Sequence, residues 1–415
     1  MSGLPLKAGC LFDGRIKRMD YQLHPAIPMS SPDLTDAERE AVLHVLQGTA
    51  LSMGPYIHQF EEAFRKYTGL PYAIGVNSGT SGLHLCVRAA GIGMGDLVLT
   101  TPFSFVASAN VMLFEKAVPV FVDVDPVTGN IDPQLAAQAA ADLSAGGSAA
   151  GRWLPRRGCS ESARLKALLG VDVFGQPADF DALRQVAEQH HLSLIEDSCE
   201  ALGAEYKGRK AGTLGDSAVF AFYPNKQITT GEGGLVVTAD EKMAHIVLAM
   251  RNQGRAPGDT WLEHTYLGYN YRLDEMSAAL GAVQMTRLEE LLQKRQQVAD
   301  WYAEHLARIE GVTAPQIVTS TTRPSWFVYV VRLDRNLNRD RIAVRLADRG
   351  IPVRPYFSPI HLQPYMVQQF GYQPGDFPVT EDLGRRGFAL PFSGMMNEEQ
   401  VGQVCFELAS AISRL

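Results

Sequence analysis

A chain of 415 residues is long enough for two or three structural units, and 46% apolar with 20% charged residues describes an ordinary globular protein. The formal net charge of -7 leaves no overall basic surface, which excludes the electrostatic footprint of a nucleic-acid binder. Five scattered cysteines oppose a disulfide framework or a zinc site, no apolar run nears the roughly 18 residues of a spanning helix, and MSGLPLKAGC has no secretory h-region, so a cytoplasmic protein without membrane contact is expected.

In chain order, residues 1–30 read as an irregular arm, since Pro25, Pro28 and Pro32 oppose a continuous helix. Thr35 followed by Glu38 is a capping-box pattern, and it opens an amphipathic helix running to Gln47. Between residues 70 and 240, β-rich runs alternate with helical stretches: YAIGVN, DLVLTT, VPVFVDV, KALLGVDVF, LSLIEDS, SAVFAFY and GLVVTA. That alternation predicts an α/β sheet with many parallel strands and its sites at the strand ends. Residues 141–164 are small, polar and Gly-rich, and read as a surface insertion. From Asp274 to Ile309, apolar residues near helical spacing predict one long helix bridging two domains. The rest reads as a smaller α+β unit, with SWFVYVVRL a strand and RDRIAVRLADRG a helix stopped by Gly350. The expected division is an arm over 1–30, a large α/β domain over 31–285, and the linking helix with a small C-terminal domain over 286–415.

The most informative segment is FAFYPNKQITTGEGG, residues 220–234. Lys226 lies after an apolar strand and before a Gly-rich turn, where α/β folds put their chemistry. A lysine there, taken alone, reads as a solvated surface residue. The whole segment, however, resembles the Schiff-base lysine motif of the DegT/DnrJ/StrS sugar aminotransferases. NSGTSGLHL at 77–85, TPFSFVASAN at 101–110, VFVDVD at 120–125, IEDSCEALGAEYKGRKAGTLGD at 195–216 and GYNYRLDEMSAALGAVQ at 268–284 follow in family order, so the resemblance spans residues 30–400. It implies a PLP-transferase fold (aspartate-aminotransferase-like, fold type I), pyridoxal 5'-phosphate as cofactor, and a homodimer with shared active sites.

The resemblance makes Lys226 the Schiff-base lysine and proton carrier, and Asp197 the carboxylate that holds the cofactor's ring nitrogen protonated. The alternative for Asp197 is a helix N-cap before SCEAL, and its position relative to Lys226 favours the cofactor role. Gly79, Thr80 and Ser81 open a helix whose free N–H groups suit a dianionic phosphate. Phe105 matches an aromatic that stacks on the cofactor ring, although by composition it reads as core. Asn270 matches an asparagine that reaches the phosphate from the neighbouring subunit, although its context also suits a turn. Two positions depart from the commoner pattern: Glu200 stands where many members have Gln or His beside the cofactor, and Ala221 where many have a phosphate-binding serine.

GIGMG at 91–95 follows a helix and precedes a strand, the reverse of a dinucleotide loop, and reads as a turn. His190 and His191 read as solvated, no cluster suggests a metal site, and Arg152, Arg156 and Arg157 read as an exposed basic loop. The family implies a ping-pong transfer from an amino acid, usually L-glutamate, to a nucleotide-linked keto sugar. The TTGEGG turn is similar to members that aminate C4 of a 4-keto-6-deoxy sugar. Tyr356 and His361 match a segment near the sugar nucleotide, with Arg251 and Arg354 as candidate partners for phosphates or the donor carboxylate. A keto-cyclitol aminotransferase would share every cofactor residue. A related sugar dehydratase would lack the lysine, and a non-catalytic regulator of the same fold would not need Lys226 and Asp197.

Overall fold

The seven apolar runs between residues 70 and 240 form one sheet. The computed structural model describes residues 27–160 and 162–413, and residues 1–26 of the expected arm lie outside that part. In spatial order the strands are Tyr72–Val76, Gly234–Thr238, Ser217–Ala221, Ser193–Asp197, Leu165–Val171, Leu97–Thr100 and Val118–Phe121. Gly234–Thr238 runs antiparallel to both neighbours, and the other pairs are parallel.

Alternation along the strands fills both faces, as a sheet covered by helices requires. Val98, Leu169, Ile195 and Val219 pack on one side with Leu83 and Val87 of the helix Gly79–Ala89 and Val247 of Glu241–Arg251. On the other side Leu97, Leu99 and Leu168 meet Ala136 and Leu183 of the helices Pro133–Ala145 and Phe180–His190. The adjoining strands Ser217–Ala221 and Gly234–Thr238 pack Phe220 and Leu235 against Ile57, Phe60 and Phe64 of the helix Pro55–Thr68. A second, antiparallel sheet orders Val312–Thr313, Tyr329–Leu333, Gly387–Leu390 and Arg354–Pro355. Leu408 of the helix Glu398–Ser413 and Tyr302 share its core.

Two expectations change. The long bridging helix is two helices, Glu275–Thr286 and Leu288–Leu306. Between them Arg287 leaves helical geometry (φ -104°, ψ 6°), and its guanidinium binds Asp33, Glu38 and Glu290. The polar segment 141–164 is a strap rather than a free insertion. Its first residues complete the helix Pro133–Ala145, and Trp153, Leu154 and Cys159 pack on the core. Its arginines are engaged too: Arg152 with Asp142, Arg156 with Asp376, and Arg157 with the Val367 carbonyl. Small-residue composition hid the two large anchors.

Candidate active site

The strand ends converge as the parallel sheet requires. Ser193–Asp197 pairs with Ser217–Ala221 so that Asp197 lies opposite Val219, and the turn after Ala221 carries Lys226. Alternation along LSLIED sends its two acids to opposite sides. Glu196 accepts the N–H groups of Leu214 (2.8 Å) and Gly215 (3.1 Å) and braces the GTLGD loop. Asp197 turns the other way, 5% exposed, and its carboxylate accepts the Ser108 hydroxyl at 2.7 Å and the Cys199 N–H at 3.2 Å. Turns rather than a helix follow it, so it caps nothing.

Lys226 is largely buried, with its Nζ 3.7 Å from the centre of the Phe327 ring and 3.8 Å from Glu200 Oε1. The Cys199 thiol lies within electrostatic reach of both charges: burial pushes it well up, Asp197 adds to the rise and Lys226 opposes it. Amine and carboxylate therefore share the Cys199 thiol as a neighbour. Nearby, the buried Asn225 Oδ1 has no hydrogen-bond partner among the described residues.

The helix Gly79–Ala89 points its start at the same place. Ser78 caps it by accepting the Ser81 N–H, and the Ser81 hydroxyl donates to Asn77 Oδ1 at 2.7 Å. Ser81 is thus engaged within the loop, and the leading N–H groups of Gly79 and Thr80 remain for an anion. A Cβ on Gly79 would stand 2.7 Å from the Ala221 Cβ and 2.9 Å from Cys199 Sγ. Ala221 packs where a serine was expected by resemblance, and the two small residues let the turn approach the strand. The Gly79→Ala variant should lose about 1–3 kcal/mol of stability to this overlap and bind inorganic phosphate and phosphate esters more weakly. Unchanged melting and phosphate affinity would contradict the close approach.

Glu200 is buried; Oε2 accepts the Phe174 N–H at 2.9 Å and Oε1 faces Lys226. Phe174 donates from a left-handed conformation (φ 57°), which a non-glycine residue adopts at a cost. Burial pushes the carboxyl up to about 7 against the pull of Lys226. A carboxyl raised in the fold binds its proton more tightly there than in the unfolded chain. It therefore stabilises the fold below about pH 4.5, and that contribution fades as pH rises to about 7. Cofactor-free protein should accordingly melt lower at pH 8 than at pH 5, by an amount the Glu200→Gln variant reduces. An identical pH dependence in both proteins would count against it.

Among the remaining expected residues, Phe105 is 61% exposed, in the loop where Ser104 and Ser108 join at 2.9 Å beside Asp197. The Tyr269 and Tyr271 rings stack at 4.9 Å, with Tyr269 bonded to Glu115 and Tyr271 to His84. Asn270, between them, is exposed, and its carbonyl accepts Asn77 Nδ2 at 3.4 Å. Tyr356 packs on Phe174 and Phe327. Burial pushes its hydroxyl up to about 12, with Glu200 adding to the rise and the exposed Arg354 opposing it. Those two join the site.

Arg251 and His361 do not. Arg251 is 3% exposed, its guanidinium spent on Glu61 (2.6 Å) and the Gly75 carbonyl (2.7 Å). His361 is 0% exposed, bonded to Glu381 at 3.1 Å and set against Phe377. Both are enclosed in the buried interior, where His361 Nδ1 has no hydrogen-bond partner among the described residues. Sequence reasoning missed Ser108, Phe327 and Arg295. Only Arg295 left a trace, as a lone charge at helical spacing from Leu291, Leu292, Val298 and Ala299.

The DegT/DnrJ/EryC1/StrS aminotransferase family profile matches residues 32–409. A GDP-perosamine synthase of Caulobacter vibrioides is 37% identical over 92% of this chain and 96% of its own. Among solved structures, PseC of Helicobacter pylori, an aminotransferase involved in pseudoaminic acid biosynthesis, superposes with TM-score 0.83 at 28% identity over 94% of this chain and 100% of its own. A PLP form of Spr1654 from Streptococcus pneumoniae, a putative sugar aminotransferase in its description, gives 0.82 at 25% over 94% and 99%. With Lys226, Asp197 and the start of the helix Gly79–Ala89 at the strand ends of this fold, and a profile match over residues 32–409, the chain belongs to the DegT/DnrJ/EryC1/StrS aminotransferase family.

Proposed function

We propose that the chain binds pyridoxal 5'-phosphate and transfers an amino group from L-glutamate to a nucleotide-linked keto sugar, at C4 of a 4-keto-6-deoxy sugar, by a ping-pong sequence. What carries this reading is Cys199, whose thiol feels both the Lys226 amine and the Asp197 carboxylate and lies against Gly79 at the start of the helix Gly79–Ala89. The donor set fits the cofactor: an amine for its aldehyde, an anion for its ring nitrogen and a helix start for its phosphate. Bound there, pyridoxal phosphate supplies an electron sink that lets an amino group change carriers.

Lys226 holds the cofactor and moves a proton at Nζ. Asp197, fixed by Ser108, keeps a proton on the ring nitrogen. Ser81 shapes the cradle, Phe105 offers an exposed aromatic face, and Glu200 holds or releases a proton near neutrality beside the amine. Asn270 is exposed with its flanking tyrosines stacked together, which supports the homodimer in which it serves the neighbouring site. Arg354 and Tyr356 border the space left for the sugar nucleotide.

Similarity to a GDP-perosamine synthase supports a nucleotide-linked sugar, and the TTGEGG turn supports C4. Free Cys86, Cys159, Cys199 and Cys405 support a reducing, cytoplasmic setting. Among the described residues no helix is long and apolar enough to cross a membrane. The test is glutamate-dependent amination of a panel of nucleotide-linked keto sugars, with the amination position read by NMR. A C4 amine is expected; no product from any sugar sinks the substrate assignment.

A further inference from the structure

Arg295 lies on the buried side of the helix Leu288–Leu306, 4% exposed, on the same stripe as Leu291, Leu292, Val298 and Ala299. Burial pulls its guanidinium down to about 10, and among the described residues no carboxylate offsets that. Arg251, equally buried, has Glu61 as counter-ion. Burying a cation with no anion beside it is expensive, and an apolar side chain at this position would fill the helix face at less cost. The compensation visible in the structure is the Phe392 ring, 5.9 Å away, and a set of backbone carbonyls. Nη1 donates to Trp326 (3.2 Å) and Phe327 (3.3 Å), and Nη2 to Asn225 (3.2 Å) and Lys226.

These four acceptors come from two segments that meet at the site. One carries Lys226 and the other carries Phe327, whose ring receives the Lys226 ammonium. One planar guanidinium therefore ties the main chain of the lysine to the main chain of the aromatic beneath it, a span that its fixed fork of donors suits and a lysine ammonium does not.

We propose that Arg295 is a positioning residue for Lys226, pinning the backbone at Asn225–Lys226 and at Trp326–Phe327 so that the amine is presented to the cofactor site in one orientation. The proposal rests on the reading of Lys226 as the cofactor-binding lysine.

The test uses the full-length protein loaded with pyridoxal phosphate, as wild type, Arg295→Ala and Arg295→Lys. Two readouts are taken: the rate at which borohydride fixes the cofactor on Lys226, located by mass spectrometry, and the half-reaction with L-glutamate resolved into its maximal rate and half-saturation. The maximal rate and the rate of cofactor fixation should both fall by about a hundredfold, the penalty for misplacing a reacting group by an ångström, while half-saturation moves far less. The lysine variant should not recover the loss, and guanidinium ion added to the alanine variant should recover part of it.

If both variants melt earlier yet fix the cofactor on Lys226 at the wild-type rate, Arg295 is only a packing residue and the proposal is overturned. Should Arg295→Ala not fold, Arg295→Lys, which keeps the charge in place, decides by the same readouts. Fixation of the cofactor at another residue in the wild type would instead remove the Lys226 reading, and this proposal with it.

Discussion

Replacing Lys226 with alanine is expected to lower turnover by about 10⁴-fold or more, the upper range for losing a positioned proton carrier, and to abolish covalent capture of pyridoxal phosphate. The Lys226 amine lies 3.7 Å from the centre of the Phe327 ring and 3.8 Å from Glu200. The fold should survive, because the hydrogen bonds of that turn come from the Lys226 backbone, its N–H to Tyr223 and its carbonyl to Arg295. Alanine leaves both in place. Visible absorbance of the loaded protein, borohydride fixation and steady-state turnover together provide the check. A variant that keeps near-normal turnover would remove the lysine from the proposed mechanism.

The second large effect is expected at Asp197. Asparagine has the same shape and can still accept the Ser108 hydroxyl, so Asp197→Asn should fold with little change in melting temperature. What it loses is the negative charge at the strand end, and with it the hold on a protonated ring nitrogen. A preorganised charge in a buried site is worth far more than in water, and turnover should fall by about 10²- to 10³-fold. Ser108→Ala tests the same point from behind. Removing a 2.7 Å bond to a buried carboxylate costs about 1.5–3 kcal/mol, and this should appear as a smaller loss of turnover in the same direction. Wild-type turnover in Asp197→Asn would mean that the carboxylate serves only the Cys199 turn.

The seven strands, the capped first helix, the helix after NSG and the lysine turn were all legible in the sequence, because each depends on residues close together in the chain. Short, nearly continuous apolar runs mark strands buried on both faces, Ser78 and Thr35 mark helix starts, and a strand followed by a glycine-rich turn marks a place for chemistry. Lys226, Asp197, Gly79 and Thr80 belong to that group. Their motifs are contiguous, and the parallel sheet delivers their ends to one edge.

The tertiary structure alone decided which charged groups face a ligand and which are spent inside. Arg251 looked available until Glu61, 190 residues away, took its guanidinium. His361 looked like a substrate contact until Glu381 and Phe377 enclosed it. Arg295 drew no notice in the sequence, and its place is set by carbonyls 69 and 70 residues earlier that accept from its guanidinium. The break at Arg287 likewise needed Asp33 and Glu38, which no helical periodicity could anticipate. Local backbone preference is written in neighbouring residues, whereas the environment of a buried charge is set by whatever distant segment the packed core brings against it.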